Sequence, residues 1–154
     1  MISATKKPCE RCSTIIPDVN ILVYAFHSAA PQHKPSQQWL SGALNRHETI
    51  GLLDAVATGF VRVMTNHKLF HKPLTAQQAL TALNAVLEAP NGTLLSSSPG
   101  TWTTFTELVR LHKLKASDIP DAWIAAAVIE EATLLSQDQG FARFRELRWH
   151  PLSD

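Results

Sequence analysis

Five aspartates stand where a predicted strand or loop passes into a predicted helix, and together they could hold a divalent cation. They are Asp18, Asp54, Asp118, Asp121 and Asp138. Carboxylates that crowd one rim repel each other and raise each other's pKa, and a bound cation relieves this cost. Mg²⁺ and Mn²⁺ suit carboxylate and water ligands and leave positions for substrate phosphate oxygens. The acids therefore predict a metal centre, provided that the fold brings them together.

Each aspartate taken alone also has a structural explanation. Asp is a preferred helix N-cap and is favoured at the positive end of the helix dipole. The segment from Asp118 to Asp121 looks like a variant capping box. Capping accounts for any single acid, whereas five acids on one rim favour a shared site.

The spacing of apolar residues predicts strands that alternate with helices. Strands are expected at 14–16, 49–53, 93–96, 133–136 and near 147–149. Helices are expected over 21–26, 36–46 and 54–65, from an N-cap at Thr75, around 105–112, and from 117 to 131. Strands separated by helices indicate βαβ units, a parallel sheet and an open α/β sandwich. Because the carboxyl ends of parallel strands share one edge, this fold would gather the aspartates there.

Composition limits the classes of protein that fit. The chain has 154 residues, 45% of them hydrophobic, which suits one domain and leaves no room for a second. The formal net charge of +1 argues against a protein that wraps a long nucleic acid through broad basic faces. An enzyme that holds a few nucleotides remains compatible with this charge.

The polar N-terminal segment is expected to be an extension at residues 1–13, ahead of a domain at 14–154. Cys9 and Cys12 form one Cys-x-x-Cys pair, but no second pair or nearby histidine couple completes a zinc site. No apolar stretch reaches the ~20 residues that span a bilayer. The sequence therefore predicts a cytoplasmic protein without membrane attachment.

Four ordered segments carry a resemblance to a known family. They are Asp18-Val-Asn20 before an apolar helix, Gly59 to Asn66, Asp118 to Ala126, and Ser136 to Phe144. In order and spacing they resemble the PIN-domain ribonucleases that act as the toxins of bacterial VapBC toxin–antitoxin pairs. The resemblance runs from about Ile15 to Pro151, including the tail at Leu147-Arg148-Trp149.

This resemblance implies a PIN-like three-layer α/β/α sandwich with a five-stranded parallel sheet. It also implies a Mg²⁺- or Mn²⁺-dependent endoribonuclease that cleaves RNA and is neutralised by a cognate VapB-type antitoxin. Asp18 and Asp121 match the two acids that hold the principal metal, and Asp138 matches a further acid of the cluster. One or two ions held there would lower the pKa of a bound water and stabilise charge on the scissile phosphate.

One position departs from the family pattern. Many PIN domains carry a glutamate three residues before the arginine of the third helix, and Gly59 stands at that place. Either Asp54 supplies the missing charge or the metal centre is weakened. We expect Asp54 to take part, through a water of the metal's hydration shell, because it follows a strand and so lies at the same rim.

Other polar residues are expected around this centre. Asn20 and Ser136 would orient ligands or water, although local turn or cap hydrogen bonds explain them equally well. Arg62, Lys68 and Lys72 could contact RNA phosphates, and ordinary surface charge is the alternative for the two lysines.

A homodimer is also expected, because the third and fourth helices carry more apolar residues than one side of a thin sheet can cover. These residues are Phe60, Val63, Met64, Leu80, Leu83 and Leu87. The alternative is that all of them belong to the core of the monomer.

Three other functions remain open at this point. The acids do not encode the choice of sugar, so a PIN-like nuclease in RNA maturation or on DNA fits them too. Gly59 favours a metal-poor PIN-like binding module. A phosphatase with an aspartate nucleophile fits less well, because such sites usually have a second Asp two residues on, where this chain has Asn20.

Overall fold

A computed structural model of the chain describes residues 13–129 and 132–152. Its five strands, in chain order β1 to β5, are Thr14–Pro17, Thr49–Leu53, Gly92–Leu95, Thr133–Leu135 and Trp149–His150. They form one sheet in the order β3-β2-β1-β4-β5, and every neighbouring pair is parallel. The predicted five-stranded parallel sheet is confirmed.

Helices connect the strands. In chain order α1 to α6 are Val19–Phe26, His33–Ala43, Asp54–Met64, Ala76–Glu88, Pro99–His112 and Ile119–Val128. Two short 3-10 helices, Ala116–Asp118 and Gln139–Arg143, precede α6 and follow β4.

Helices cover both faces of the sheet. Ile15 and Ile16 are successive residues of β1, so their side chains point to opposite faces, and both are buried. Ile15 packs in one apolar cluster with residues of α1 and α2, whereas Ile16 packs in a larger cluster with residues of α3 and α6. The three-layer α/β/α sandwich is therefore confirmed.

The predicted start of the fourth helix is confirmed, whereas α1 and α5 begin earlier than predicted, at Val19 and Pro99, and α2 is shifted. The fourth helix starts after Thr75, whose hydroxyl accepts a hydrogen bond from Gln78 N–H while the Gln78 side chain accepts one from Thr75 N–H. Helix α2 begins at His33 instead of residue 36 and ends at Ala43 instead of residue 46. Its earlier start places Pro35 in the first turn, where the missing N–H of proline has no helical partner to lose.

The apolar residues proposed for a dimer surface are mostly monomer core. Phe60, Met64 and Leu83 are buried, and Val63 and Leu87 pack against the same core. Leu80 alone is substantially exposed, at 46%. The argument for a homodimer from these two helices is therefore wrong, and the homodimer stays a prediction that light scattering can check.

The predicted extension at residues 1–13 and the Cys9–Cys12 pair lie, except for Ser13, outside the described residues. In the part of the chain that the structure does describe, none of the helices has the length and apolar character needed to cross a membrane.

Candidate active site at the carboxyl edge of the sheet

The sheet changes its direction of growth between β1 and β4. From β1 the chain adds β2 and β3 on one side, then returns to add β4 and β5 on the other. In open α/β sheets, ligands bind beyond the carboxyl ends of the strands at such a switch point. Asp18 follows β1 and Ser136 follows β4, so both stand at this place.

Asp18 is a buried carboxylate that the fold holds in one orientation. It is only 6% exposed, and its backbone N–H donates to the carbonyl of Leu135 at 2.8 Å. Ser136 Oγ donates to Asp18 Oδ2 at 2.8 Å, and Val19 N–H donates to Oδ1 at 2.7 Å. Burial raises the pKa of Asp18, and these two hydrogen bonds oppose that rise.

Ser136 links two of the predicted acids. Its oxygen accepts a hydrogen bond from Asp138 N–H at 3.0 Å, so its own proton is directed to Asp18. The Ser136 carbonyl in turn accepts from Trp149 Nε1 at 2.9 Å, which ties β5 to the same loop. These hydrogen bonds are compatible with the predicted orienting role of Ser136, which stays a prediction.

Asp121 completes the cluster from the first turn of α6. Burial, followed by the charges of Asp138 and Asp18, raises the pKa of Asp121 to about 6. Among residues 13–129 and 132–152, no donor makes a hydrogen bond to its carboxylate. Asp138 also raises the pKa of Asp18. The charge of Asp138 therefore acts on both Asp18 and Asp121, and the charge of Asp18 acts on Asp121, as expected of acids that share a site.

The donor chemistry fits Mg²⁺ or Mn²⁺ but does not form a complete cage of protein ligands. Within the described residues, no group of three His, Cys, Asp or Glu side chains lies close enough to hold a metal alone. Mg²⁺ usually binds through one or two carboxylates and keeps several waters. The Asp121 carboxylate, which lacks a hydrogen-bond donor, and its acidic neighbours suit that mode of binding.

Asp118 is engaged by basic and backbone groups. Its carboxylate accepts from Lys115 N–H at 2.9 Å and forms an ion pair with Arg143 Nη1 at 3.1 Å. These two contacts lower the pKa of Asp118. The proposed capping box with Asp121 is wrong, because neither side chain caps α6 and Asp118 belongs to the preceding 3-10 turn.

Asp54 makes its hydrogen bonds with residues other than the three acids of the cluster. Asp54 is the first residue of α3, and its carboxylate accepts from Ala55 N–H at 2.7 Å. Ser97 donates to the same carboxylate through its backbone N–H at 3.2 Å and its hydroxyl at 3.1 Å. Asp54 is not among the charges that shift the pKa of Asp18 or Asp121. This placement favours a role in joining α3 to the loop after β3.

Gly59 lies against the start of α1. A Cβ at this position would lie 3.0 Å from Cγ2 of Val19, the residue after Asp18. Val19 therefore occupies part of the space that a side chain at position 59 would enter.

The remaining predicted residues lie at the surface. Asn20 is exposed in the first turn of α1, and its side chain makes no hydrogen bond to any residue that the structure describes. Arg62, Lys68 and Lys72 are exposed as well. Their proposed contacts with RNA stay predictions.

Arg143 is a site residue that the sequence reasoning did not single out. It lies within the quoted segment from Ser136 to Phe144, between two buried phenylalanines, and its charge acts on both Asp118 and Asp121. The sequence feature that could have indicated it is a basic residue five positions after Asp138, in a segment that was considered only for its acid.

Comparison with known proteins gives consistent matches. The PIN domain family matches residues 15–147. Ribonuclease VapC43 of Mycobacterium tuberculosis is 42% identical over 137 residues, covering 88% of this chain and 93% of the relative.

Two solved structures are similar in fold. VapBC2 from Rickettsia felis, crystallised with a DNA fragment from its promoter, has a TM-score of 0.67 at 19% identity. That match covers 91% of this chain and 99% of the other. The Mycobacterium tuberculosis toxin VapC20, which cleaves the sarcin–ricin loop, has a TM-score of 0.63 at 11% identity, covering 84% and 94%. Both likenesses concern the fold alone.

Proposed function

The chain belongs to the PIN-domain family of VapC ribonucleases, and from this premise we propose that it hydrolyses RNA at a divalent-metal centre held by Asp18, Asp121 and Asp138. Its enzyme class is that of a nuclease acting on phosphodiester bonds.

One observation carries the proposal. Asp121 has a carboxylate without a hydrogen-bond donor among the described residues, beside two other acids, at the switch point of a parallel sheet. Such an arrangement is unfavourable unless a proton or a cation compensates the charge. Near neutral pH, above the pKa of about 6 for Asp121, a cation is the better compensation.

Each residue has a distinct part in the reaction. A bound divalent ion would lower the pKa of an attacking water and offset charge on the scissile phosphate. Asp18 presents a carboxylate whose direction Ser136 fixes, and its burial excludes water from one side. Asp121 supplies a carboxylate that accepts no hydrogen bond from the described residues. Asp138 adds negative charge, and its backbone N–H orients Ser136. Because these groups are in place before substrate binds, they cost little reorganisation.

The test uses the purified full chain. We expect Mn²⁺ binding by isothermal titration and cleavage of single-stranded RNA that EDTA abolishes. Asp121→Asn keeps the shape of the side chain but removes its charge, so both Mn²⁺ affinity and cleavage should fall. Glu146→Gln, at an exposed acid outside the cluster, is the matched control. Absence of Mn²⁺ binding would favour the metal-poor module, and equal cleavage of DNA of the same sequence would favour a general nuclease.

We also propose that the chain is the toxin of a VapBC-type pair, with a VapB-type antitoxin as partner and the cytoplasm as its location. A chain of the VapBC2 assembly is similar to this chain in fold. On this chain a groove of about 230 Å³ lies between α1, α2 and α4, lined by apolar residues that include Phe26, Leu40, Leu44 and Val86. An apolar helix of an antitoxin would cover this surface.

A substitution in the groove separates partner binding from catalysis. Ala85 lines the groove and is exposed, so Ala85→Arg should block an inserted helix without disturbing the core. We expect weaker capture of the product of the neighbouring short reading frame, with RNA cleavage unchanged. Ala76→Arg, in the first turn of the same helix and outside the groove, should bind like the parent.

A further inference from the structure

Arg143 is held by contacts from three directions. Its Nε–H donates to the carbonyl of Gly140 at 2.7 Å, and Nη1 pairs with Asp118 Oδ1 at 3.1 Å. The guanidinium carbon stands 5.5 Å from the centroid of the Phe144 ring, within cation–π range. This is the one ion pair among the described residues, and its arginine is 33% exposed. The guanidinium is therefore oriented while part of it still faces solvent.

This oriented cation stands beside the acidic site. Its charge acts on Asp121 and lowers the pKa of that carboxyl against the effect of the neighbouring acids. Gly140, whose carbonyl holds Arg143, follows Asp138 by two residues and donates its N–H to Asp138 Oδ1 at 2.8 Å. The loop after β4 thus carries an acid of the cluster and the anchor of the arginine together.

Gly140 leaves room for the guanidinium of Arg143 to approach the loop. A Cβ at position 140 would lie 2.8 Å from Nη2 of Arg143 and 3.0 Å from Oδ1 of Asp138. Its φ is not positive, so backbone conformation does not explain the glycine. The absence of a side chain lets the guanidinium and the Asp138 carboxylate share one loop.

A guanidinium has five N–H donors, and only some of them are used here. Nε donates to Gly140 and Nη1 pairs with Asp118, while Nη2 has no hydrogen-bond partner among residues 13–129 and 132–152. The planar fork of arginine matches two phosphate oxygens, which a point charge does not. An RNA strand that reaches Asp121 must also bring its phosphates past carboxylates that repel them.

We propose that Arg143 binds a backbone phosphate of the RNA beside the reacting one, and that Asp118 and Gly140 position its guanidinium for this contact. The inference rests on the proposed ribonuclease function. Asp118 then serves the substrate through Arg143 and is not a metal ligand. Specificity for base sequence is not involved, because a phosphate contact carries no sequence information.

RNA binding without cleavage tests this role. The affinity of the full chain for a short, fluorescently labelled single-stranded RNA is measured by anisotropy in EDTA over a series of KCl concentrations. Arg143→Gln should weaken binding on the order of tenfold, as expected for a lost charge-assisted contact. The slope of log affinity against log salt should decrease in magnitude by about 0.7, the value for one single-strand phosphate.

Matched variants separate this role from a structural one. Arg143→Lys keeps the charge and should restore the salt slope but only part of the affinity, since it lacks the fork. Arg145→Gln, at an exposed arginine two residues on, should bind RNA like the parent. Asp118→Asn should weaken RNA binding a few-fold, while Mn²⁺ affinity should change much less than in Asp121→Asn.

Two outcomes would overturn the proposal: an unchanged salt slope in a folded Arg143→Gln protein, or an equal loss in Arg145→Gln. Because the binding assay contains no metal and no cleavage step, it gives an answer even if the chain proves not to be a nuclease. A loss of Mn²⁺ affinity in Asp118→Asn as large as in Asp121→Asn would return Asp118 to the metal centre.

Discussion

At two places on the carboxyl edge of the sheet, here called the first and the second corner, an aspartate pairs with a serine, but the surrounding residues differ. After β1 and β4, Asp18 accepts a hydrogen bond from Ser136 Oγ at 2.8 Å. After β2 and β3, Asp54 accepts one from Ser97 Oγ at 3.1 Å. Both pairs join the carboxyl ends of adjacent parallel strands. The first lies at the switch point of the sheet, and the second lies to one side of it.

The two corners differ in the other residues that lie close to the Asp–Ser pair. At the first, α6 brings in Asp121 and the loop after β4 brings in Asp138. The charges of Asp138 and Asp18 raise the pKa of Asp121, and the charge of Asp138 also raises that of Asp18. At the second, Ser97 donates to Asp54 through both its N–H and its hydroxyl, and Asp54 is not among the charges that shift the pKa of Asp18 or Asp121. Both corners thus have an aspartate at a strand end. The corner at the switch point of the sheet also has further acids whose charges act on each other.

The largest expected difference is in catalysis. Asp18→Asn should lower the rate of RNA cleavage by more than about a hundredfold, because even an outer partner of a metal ligand typically contributes roughly 10–100-fold. Asp54→Asn should leave the rate within about twofold of the parent, because its charge does not reach the cluster. Initial rates at saturating Mn²⁺ measure both. A comparable loss in Asp54→Asn would restore Asp54 to the acidic site in place of the acid absent at Gly59.

The two serines extend the comparison. Ser136→Ala removes the donor to Asp18 and leaves Asp138 N–H without its acceptor, so cleavage should fall by about tenfold or more. Ser97→Ala should leave the rate of RNA cleavage unchanged. The readout is the rate together with Mn²⁺ affinity, and a Ser136→Thr variant that recovers activity would support orientation by the hydroxyl.

A third difference concerns pH in the absence of metal. Asp121 has a pKa of about 6 in the folded protein against an ordinary value of 3.8, so the folded state binds this proton more strongly. Its contribution to the free energy of unfolding is complete below pH 3.8 and is lost as pH rises through about 6. Urea unfolding in EDTA at a series of pH values should therefore show this pH-dependent loss of unfolding free energy in the parent and not in Asp121→Asn.

The same proton competes with the metal. Below about pH 6, Mn²⁺ affinity should fall by about tenfold per pH unit if one proton is displaced. Titrations across that range check the slope, and an Asp54→Asn protein should follow the parental curve. A pH-independent affinity would exclude Asp121 as a ligand.

Local rules predicted the first corner better than the second. Asp18 and Asp138 could be placed from the alternation of strands and helices, because the carboxyl ends of parallel strands always meet. The link between Asp54 and Ser97 depends on how the chain leaves β3, and apolar spacing does not encode that. Arg143 was missed for the same reason: its orientation arises from the 3-10 turn at Gly140, which brings a side chain from the next turn back to the acids.

The smallest effect should be the structural contribution of the second corner, and it completes the comparison. Ser97→Ala removes one hydroxyl donor to Asp54 but keeps the backbone N–H bond, so unfolding free energy should fall by about 1 kcal/mol. Asp54→Ala removes both contacts with Ser97 and the bond to Ala55 N–H, and should cost more. Because the residues are in contact, the double variant should cost less than the sum of the two single variants. Urea unfolding of all four proteins at neutral pH gives the coupling energy, with RNA cleavage measured on the same samples. Strict additivity would mean that the Asp54–Ser97 hydroxyl contact contributes nothing to stability, and the carboxylate of Asp54 would then need another explanation.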